Sequence, residues 1–250
     1  MKIAFISTIN SLNEISSLGD IEFCLAPFCK NSFYKRYFQY THKYVILDNG
    51  VAENILISNE ELVDLAIEMK VSEIIIPDII GDYNKTKIMR EDFLKKYYSK
   101  LKESNIKIQS VVQGKIIDEY EQSLKELNCD YRIDVIGIPF RINYALFNNK
   151  TSEENHMLNR LLFLNTFIFF KPVHCLGCNL LLEIKHLSYL NNVRSIDTKL
   201  ISRYGLNNKI FNFDDKIKPK EKLFIDKDLN NNQIGISIQN INKLREGLKL

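Results

Sequence analysis

Residues 44–50 read Tyr-Val-Ile-Leu-Asp-Asn-Gly, YVILDNG. Four apolar residues run without a polar break, and an aspartate, an asparagine and a glycine end the run. Strands of a parallel sheet have this pattern, because helices cover both faces and leave no side for water. The same design recurs along the chain: IEFCLAP at 21–27, EIIIPD at 73–78, IQSVVQG at 108–114, DVIGIPF at 134–140, KPVHCLG at 171–177 and VRSIDTK at 193–199. Pro27, Pro77, Pro139 and Pro172, four of the five prolines, lie in or at the ends of these runs.

Helical patterns fill many of the intervals. Ser58 followed by Glu61 is a capping-box signature, with Leu62, Leu65, Ala66 and Met69 on one face after it. Residues 85–104 carry Leu94, Tyr97 and Leu101 at helical spacing, residues 116–128 carry Ile117, Tyr120, Leu124 and Leu127, and residues 152–166 carry Met157, Leu161, Leu162 and Leu164. Strand and helix therefore alternate in units of βα length. With seven strands before residue 200 and an eighth placed at 222–225 or 233–238, the pattern predicts an α/β chain. It reads as a TIM (β/α)8 barrel, one domain over residues 1–250. The competing architecture is a doubly wound open sheet. No GxGxxG or GxxxxGKS/T follows a strand, so its usual nucleotide-binding forms lose support. The polar stretch 207–232 is expected to be an excursion within the barrel.

At 45% apolar and 26% charged over 250 residues, the chain is too apolar to be disordered. A net charge of +3, from 34 Lys+Arg against 31 Asp+Glu, permits a nucleic-acid partner without requiring one. No apolar run reaches the roughly 18 residues of a membrane span. The start, Met1 to Ile6, lacks the apolar core and cleavage site of a signal peptide. Five scattered cysteines suit reduced thiols, so the expected location is cytoplasmic, a host cytoplasm if the chain is viral.

Polar residues gather at one end of the strand runs: Asp48, Asp78, Gln113 and Asp197, accompanied by Gly50, Gly114, Gly137 and Gly177. In a barrel these C-terminal ends ring the active site. Aspartates accept from an exocyclic amine and a ring N–H, and a glutamine donates to a carbonyl, which together match the edge of a guanine-like base. A further carboxylate suits attack on a sugar carbon, since glycosidic chemistry commonly uses one covalent and one proton-transferring carboxyl group. Any single strand-end aspartate is more often a cap or turn residue, and Asp82 and Asp134 are read that way.

These residues resemble the tRNA-guanine transglycosylase superfamily over residues 20–205. LDNGVAE at 47–53, PDIIGD at 77–82, VVQG at 111–114, IGI at 136–138, HCLG at 174–177 and SIDT at 195–198 are similar, in order, to that family's motifs. The resemblance implies that Asp197 attacks the sugar C1′ and that Asp48 moves a proton at the base. It implies that Asp78 pairs with the base amine and N–H, and Gln113 with its carbonyl. Asn49, Gly114 and Gly177 would complete the base pocket, Gly137 would lie near the 7-substituent, and Leu176 would line the base's face. No metal or other cofactor is implied. The family's zinc subdomain needs three cysteines after the nucleophile, and no cysteine follows Cys178 here. Ser237-Ile238-Gln239-Asn240 stands where the family has a Thr-Ile-His-Asn stretch, and Asn49 and Val51 stand where the tRNA enzymes have Ser and Gly. A zinc-free chain with LDNG looks more like the phage 7-deazaguanine DNA transglycosylases, whose modified guanine protects viral DNA from restriction. The implied partners are DNA, with tRNA as the alternative, and a base such as 7-cyano-7-deazaguanine. A homodimer or a helper protein is also compatible with the resemblance.

Other readings stay open at this point: a nucleoside or glycoside hydrolase, or a non-catalytic accessory nucleic-acid-binding subunit. Arg141, Lys199, Arg203 and Lys115 are the candidates for phosphate contacts, while the lysine-rich 95–102 run reads as a solvated helix face. The aromatic stretch 33–44 offers either base stacking or, more ordinarily, an apolar helix face. His174-Cys175-Leu176-Gly177-Cys178 contains a CxxC without the further ligands of a zinc site, and its histidine reads as a pocket wall.

Overall fold

The computed structural model describes residues 1–53, 55, 57–142, 153–213, 219 and 225–248. Eight strands form one all-parallel sheet: β1 (Lys2–Phe5), β2 (Glu22–Leu25), β3 (Val45–Asp48), β4 (Glu73–Ile75), β5 (Lys107–Val111), β6 (Val135–Ile138), β7 (Val173–Cys175) and β8 (Val193–Thr198). β2 to β8 pair in chain order and β1 pairs with β8. The sheet curls into a nearly closed TIM barrel. β1 and β2 share no ladder; Asp20 bridges them, its N–H donating to Ile3 O at 2.8 Å and its carboxylate accepting from Ile3 N at 2.9 Å.

The helices are α1 (Ser32–Tyr40), α2 (Asn59–Glu68), α3 (Tyr83–Glu103), α4 (Ile117–Cys129), α5 (Glu153–Thr166), α6 (Leu181–Leu187), α7 (Leu200–Leu206) and α8 (Asn231–Leu248). Their starts follow local chemistry. The Ser58 hydroxyl accepts from Glu61 N to open α2, and the Asp82 carboxylate accepts from Lys85 N to open α3. Their buried faces are those of the helical periodicity: Leu62 and Ala66, then Leu94, Tyr97 and Leu101, then Tyr120, Leu124 and Leu127. Tyr34 and Phe38 of α1 are core residues, while Phe33 and Tyr40 of the same helix are exposed.

Two strand placements needed correction. The remaining strand is Lys2–Phe5 at the start of the chain. Residues 233–238 lie in α8, which packs on α7; Gly205 of α7 takes the Ser237 side chain at its Cα, where a Cβ would come within 1.9 Å of Oγ. Of the other placement, 222–224 lie outside the described residues and Ile225 is in a turn. Of the 207–232 excursion, 214–218 and 220–224 also lie outside them.

Alternation along the strands decides what meets inside. Neighbouring strands hold Phe23 beside Ile46, Leu25 beside Asp48, Val111 beside Gly137, Gly137 beside His174, His174 beside Ser195 and Ala4 beside Asp197. Paired residues on adjacent strands face the same way. Phe23 and His174 stack inside the barrel with ring centroids 5.7 Å apart and planes 14° from parallel.

The loop after β7 is held from outside by a buried ion pair. Arg160 of α5 and Glu183 of α6 are both fully buried, with Nη2 to Oε1 at 2.6 Å. The same guanidinium donates to Leu176 O at 2.6 Å and Cys178 Sγ at 3.2 Å, and packs over Phe140. Arg160→Met strands Glu183 in the core and is expected to cost about 3–5 kcal/mol, whereas Arg160→Met with Glu183→Leu recovers most of it. Urea unfolding of the two variants checks this; equal loss in both would contradict it.

Candidate active site

The strand-end residues converge at the C-terminal end of the barrel, and the hydrogen bonds sort them into two groups. The first is built around Asp78, which follows β4. Its Oδ2 accepts from Gln113 Nε2 at 2.6 Å and its Oδ1 from Asn49 Nδ2 at 3.3 Å. Asn49 also donates to Ile76 O at 3.1 Å and accepts from Val51 N, which fixes its amide orientation. Gln113 accepts from Gly81 N at 2.8 Å through Oε1. Among the described residues, one Nε2 hydrogen of Gln113 and a lone pair on each Asp78 oxygen have no partner. Burial pushes the Asp78 carboxyl up to about 6, against the opposing hydrogen bonds from Gln113 and Asn49.

The second group, Asp48 and Asp197, shares no hydrogen bond among the described residues and is linked by like-charge repulsion. Asp48 ends β3 and accepts from Gly50 N at 3.0 Å. Gly50 has φ +77°, and a Cβ there would sit 2.3 Å from Pro27 Cγ, so this turn accepts only glycine. Burial, then the charge of Glu53, raises the Asp48 carboxyl well above the usual range; the charges of Asp197 and Asp78 add to this, and the Gly50 hydrogen bond opposes it. Burial and like charge therefore favour the protonated form of Asp48.

Asp197, on β8, is 4% exposed. Its Oδ1 accepts from Gly177 N at 2.9 Å and lies 3.3 Å from His174 Nε2. Gly177 takes φ +64°, a left-handed conformation that presents this N–H at low cost only in glycine. No described residue hydrogen-bonds Oδ2. One oxygen is thus pinned and the other is left for chemistry.

The remaining predicted residues divide. Gly137 and Leu176 meet: a Cβ on Gly137 would lie 3.4 Å from Leu176 Cδ1, 3.1 Å from Val111 and 2.7 Å from Gln109 Nε2. The Gly114 backbone packs against Glu119 and Tyr120 at the start of α4, where a Cβ would meet them at 3.0 Å. Arg141 and Lys115 are exposed. Lys199 is not a free cation, because its ammonium pairs with Glu53. Arg203 sits half-buried on α7. Asp134 takes Ile108 N at 2.8 Å and pairs with Lys102, pinning β5 to β6 at the end away from the site. Cys175 and Cys178 are buried, and burial raises both thiols. Among the described residues no group of three or more His, Cys, Asp or Glu is placed to hold a metal, and no helix is long and apolar enough to cross a membrane.

Sequence reasoning assigned no role to Ser195 and took His174 for a wall. The signal was parity: His174 precedes Leu176 by two residues, and Ser195 precedes Asp197 by two, so each faces the interior.

Asp78 gives a pH prediction. Its folded pKa is raised, so the stability it contributes is full below about pH 4 and is lost as pH rises through about 6. Relative to Asp78→Asn, the native chain is expected to lose on the order of 3 kcal/mol across that window. Urea midpoints at pH 4, 5, 6 and 7 measure it; a native chain that gains on the variant as pH rises would contradict the assignment. Neither a family model nor a curated protein sequence matches the chain, so the functional reading rests on its residues and their geometry.

Proposed function

We propose that the chain is a base-exchange transglycosylase that replaces guanine in DNA with a 7-deazaguanine base through a covalent bond to Asp197. The observation that carries this reading is the asymmetry of the carboxylates. Asp197 has one oxygen held by Gly177 N and facing His174, with the other unbonded among the described residues. Asp48 beside it is pushed toward its protonated form. A carboxylate nucleophile next to a carboxylic acid is the pairing that retaining glycosidic chemistry needs.

In the first step Asp197 Oδ2 bonds to the sugar C1′ as the bond from C1′ to the guanine nitrogen breaks. The base leaves with the electron pair, and Asp48 supplies the proton. In the second step the incoming 7-deazaguanine gives its ring N–H proton to the Asp48 carboxylate. Its nitrogen bonds to C1′, and Asp197 leaves as the carboxylate. Asp78 and the free Gln113 hydrogen offer acceptors and a donor for a guanine edge. Asn49 keeps Asp78 turned toward that task. The base must leave its stack to reach this pocket. Exposed Arg141 and Lys115 suit phosphates, and Lys199 would exchange its Glu53 partner for one. The preference for DNA over tRNA comes from the sequence resemblance and the absent cysteines.

The test gives purified protein labelled guanine or labelled 7-cyano-7-deazaguanine with single-stranded DNA, duplex DNA and unmodified tRNA. Label is expected in DNA. Label in tRNA alone moves the activity to tRNA, release of free guanine without incorporation means hydrolysis, and neither outcome in any substrate contradicts catalysis of this kind. Asp197→Asn is expected to abolish incorporation at an unchanged unfolding midpoint. Asp78→Ala is expected to weaken base binding by about 10- to 100-fold and to relax selectivity for guanine, through loss of paired buried groups.

A further inference from the structure

A chain of hydrogen bonds runs through the barrel from its floor to Asp197. At the floor, Glu73 of β4 is fully buried and accepts from Tyr44 OH at 2.6 Å. Arg194 of β8 reaches across to it with two bonds, Nη1 to Oε2 at 2.7 Å and Nη2 to Oε1 at 3.1 Å, its guanidinium packed over the Tyr44 ring. Arg194 Nε donates to Ser195 Oγ at 3.1 Å. Ser195 Oγ lies 2.9 Å from His174 Nδ1, and His174 Nε2 lies 3.3 Å from Asp197 Oδ1. His174 and Ser195 are fully buried, and Phe23 stacks on the imidazole.

The direction of this chain follows from what each group can do. A guanidinium only donates, so Arg194 occupies a lone pair of Ser195 and leaves the hydroxyl hydrogen to be given onward. The carboxylate at the far end only accepts. With the opposite tautomer, a nitrogen lone pair would face the Asp197 oxygen. We infer that His174 presents Nε2–H to Asp197, its ring fixed through Nδ1 by Ser195 and Arg194, and that it is the positioning residue which, with Gly177 N, pins Asp197 Oδ1 and leaves Oδ2 as the attacking atom. The kinetic part of this inference rests on the transglycosylase reading; the tautomer does not.

Two measurements test it. The first is nitrogen NMR of the full chain labelled at its histidine rings, with the His174 signal identified by its loss in His174→Gln. The expected signal is a ring protonated at Nε2 and bare at Nδ1, and Ser195→Ala is expected to weaken that preference. A ring protonated at Nδ1, or a tautomer indifferent to Ser195→Ala, overturns the inference whether or not the chain exchanges bases. The second is base exchange by two variants. His174→Gln retains an N–H that can reach Oδ1 and is expected to stay within about threefold of the native kcat. His174→Leu is expected to lose tenfold or more in kcat with KM for the base unchanged. If both variants fall equally while folded, or KM moves in place of kcat, the positioning role is overturned. A native chain that exchanges no base contradicts the function, and the nitrogen spectrum still decides the tautomer.

Discussion

Three carboxyl groups share one end of this barrel, each nearly out of water: Asp48, Asp78 and Asp197 are 8%, 4% and 4% exposed. Burying a carboxylate is costly, and burying several together is worse because like charges raise one another's pKa. The structure meets this constraint unequally. Asp78 receives two side-chain amides, Asp197 receives a backbone N–H and faces a histidine, and Asp48 receives one backbone N–H and is pushed toward protonation. On the proposed reading, that inequality separates a cluster of like residues into a recognition edge, a nucleophile and an acid.

The barrel makes the inequality possible. Parallel strands point every inward C-terminal residue at one rim, so Leu25 and Asp48, or Ala4 and Asp197, arrive side by side. The donors come from turns. Gly50 and Gly177 adopt left-handed backbone so that each N–H meets an aspartate, and Arg160 grips the carbonyl just before Gly177 from the helix layer. Beneath the rim the interior is not purely apolar. Glu73, Arg194, Ser195 and His174 cross it, which costs desolvation and fixes orientation.

Much of this was legible in the sequence, for physical reasons that also explain what was not. Apolar runs ending in Asp, Gln or Gly at 44–50, 73–78, 108–114 and 193–199 read as covered strands with a polar rim, and there the strands lie. The strand Lys2–Phe5 escaped because its apolar run closes in Ser7 and Thr8, without the Asp, Gln, Gly or Pro that marks the other runs. Residues 233–238 were mistaken for a strand because a short apolar run has no period of its own; in the fold they belong to α8, and Ser237 is the buried one among them. The pairing of Lys199 with Glu53 was not legible because the two are 146 residues apart in sequence. The relay was hidden for the same reason: Arg194 and Glu73 lie on β8 and β4, far apart in sequence.

The central claim is that Asp197 is the nucleophile and Asp48 its proton partner. The most direct test denatures the protein during exchange with DNA and maps the crosslinked peptide by mass spectrometry. The account predicts a sugar-linked DNA adduct on the peptide that carries Asp197, accumulating when no acceptor base is supplied and discharged when one is added. An adduct on Asp48 or Asp78, or steady exchange with no adduct at all, would contradict it.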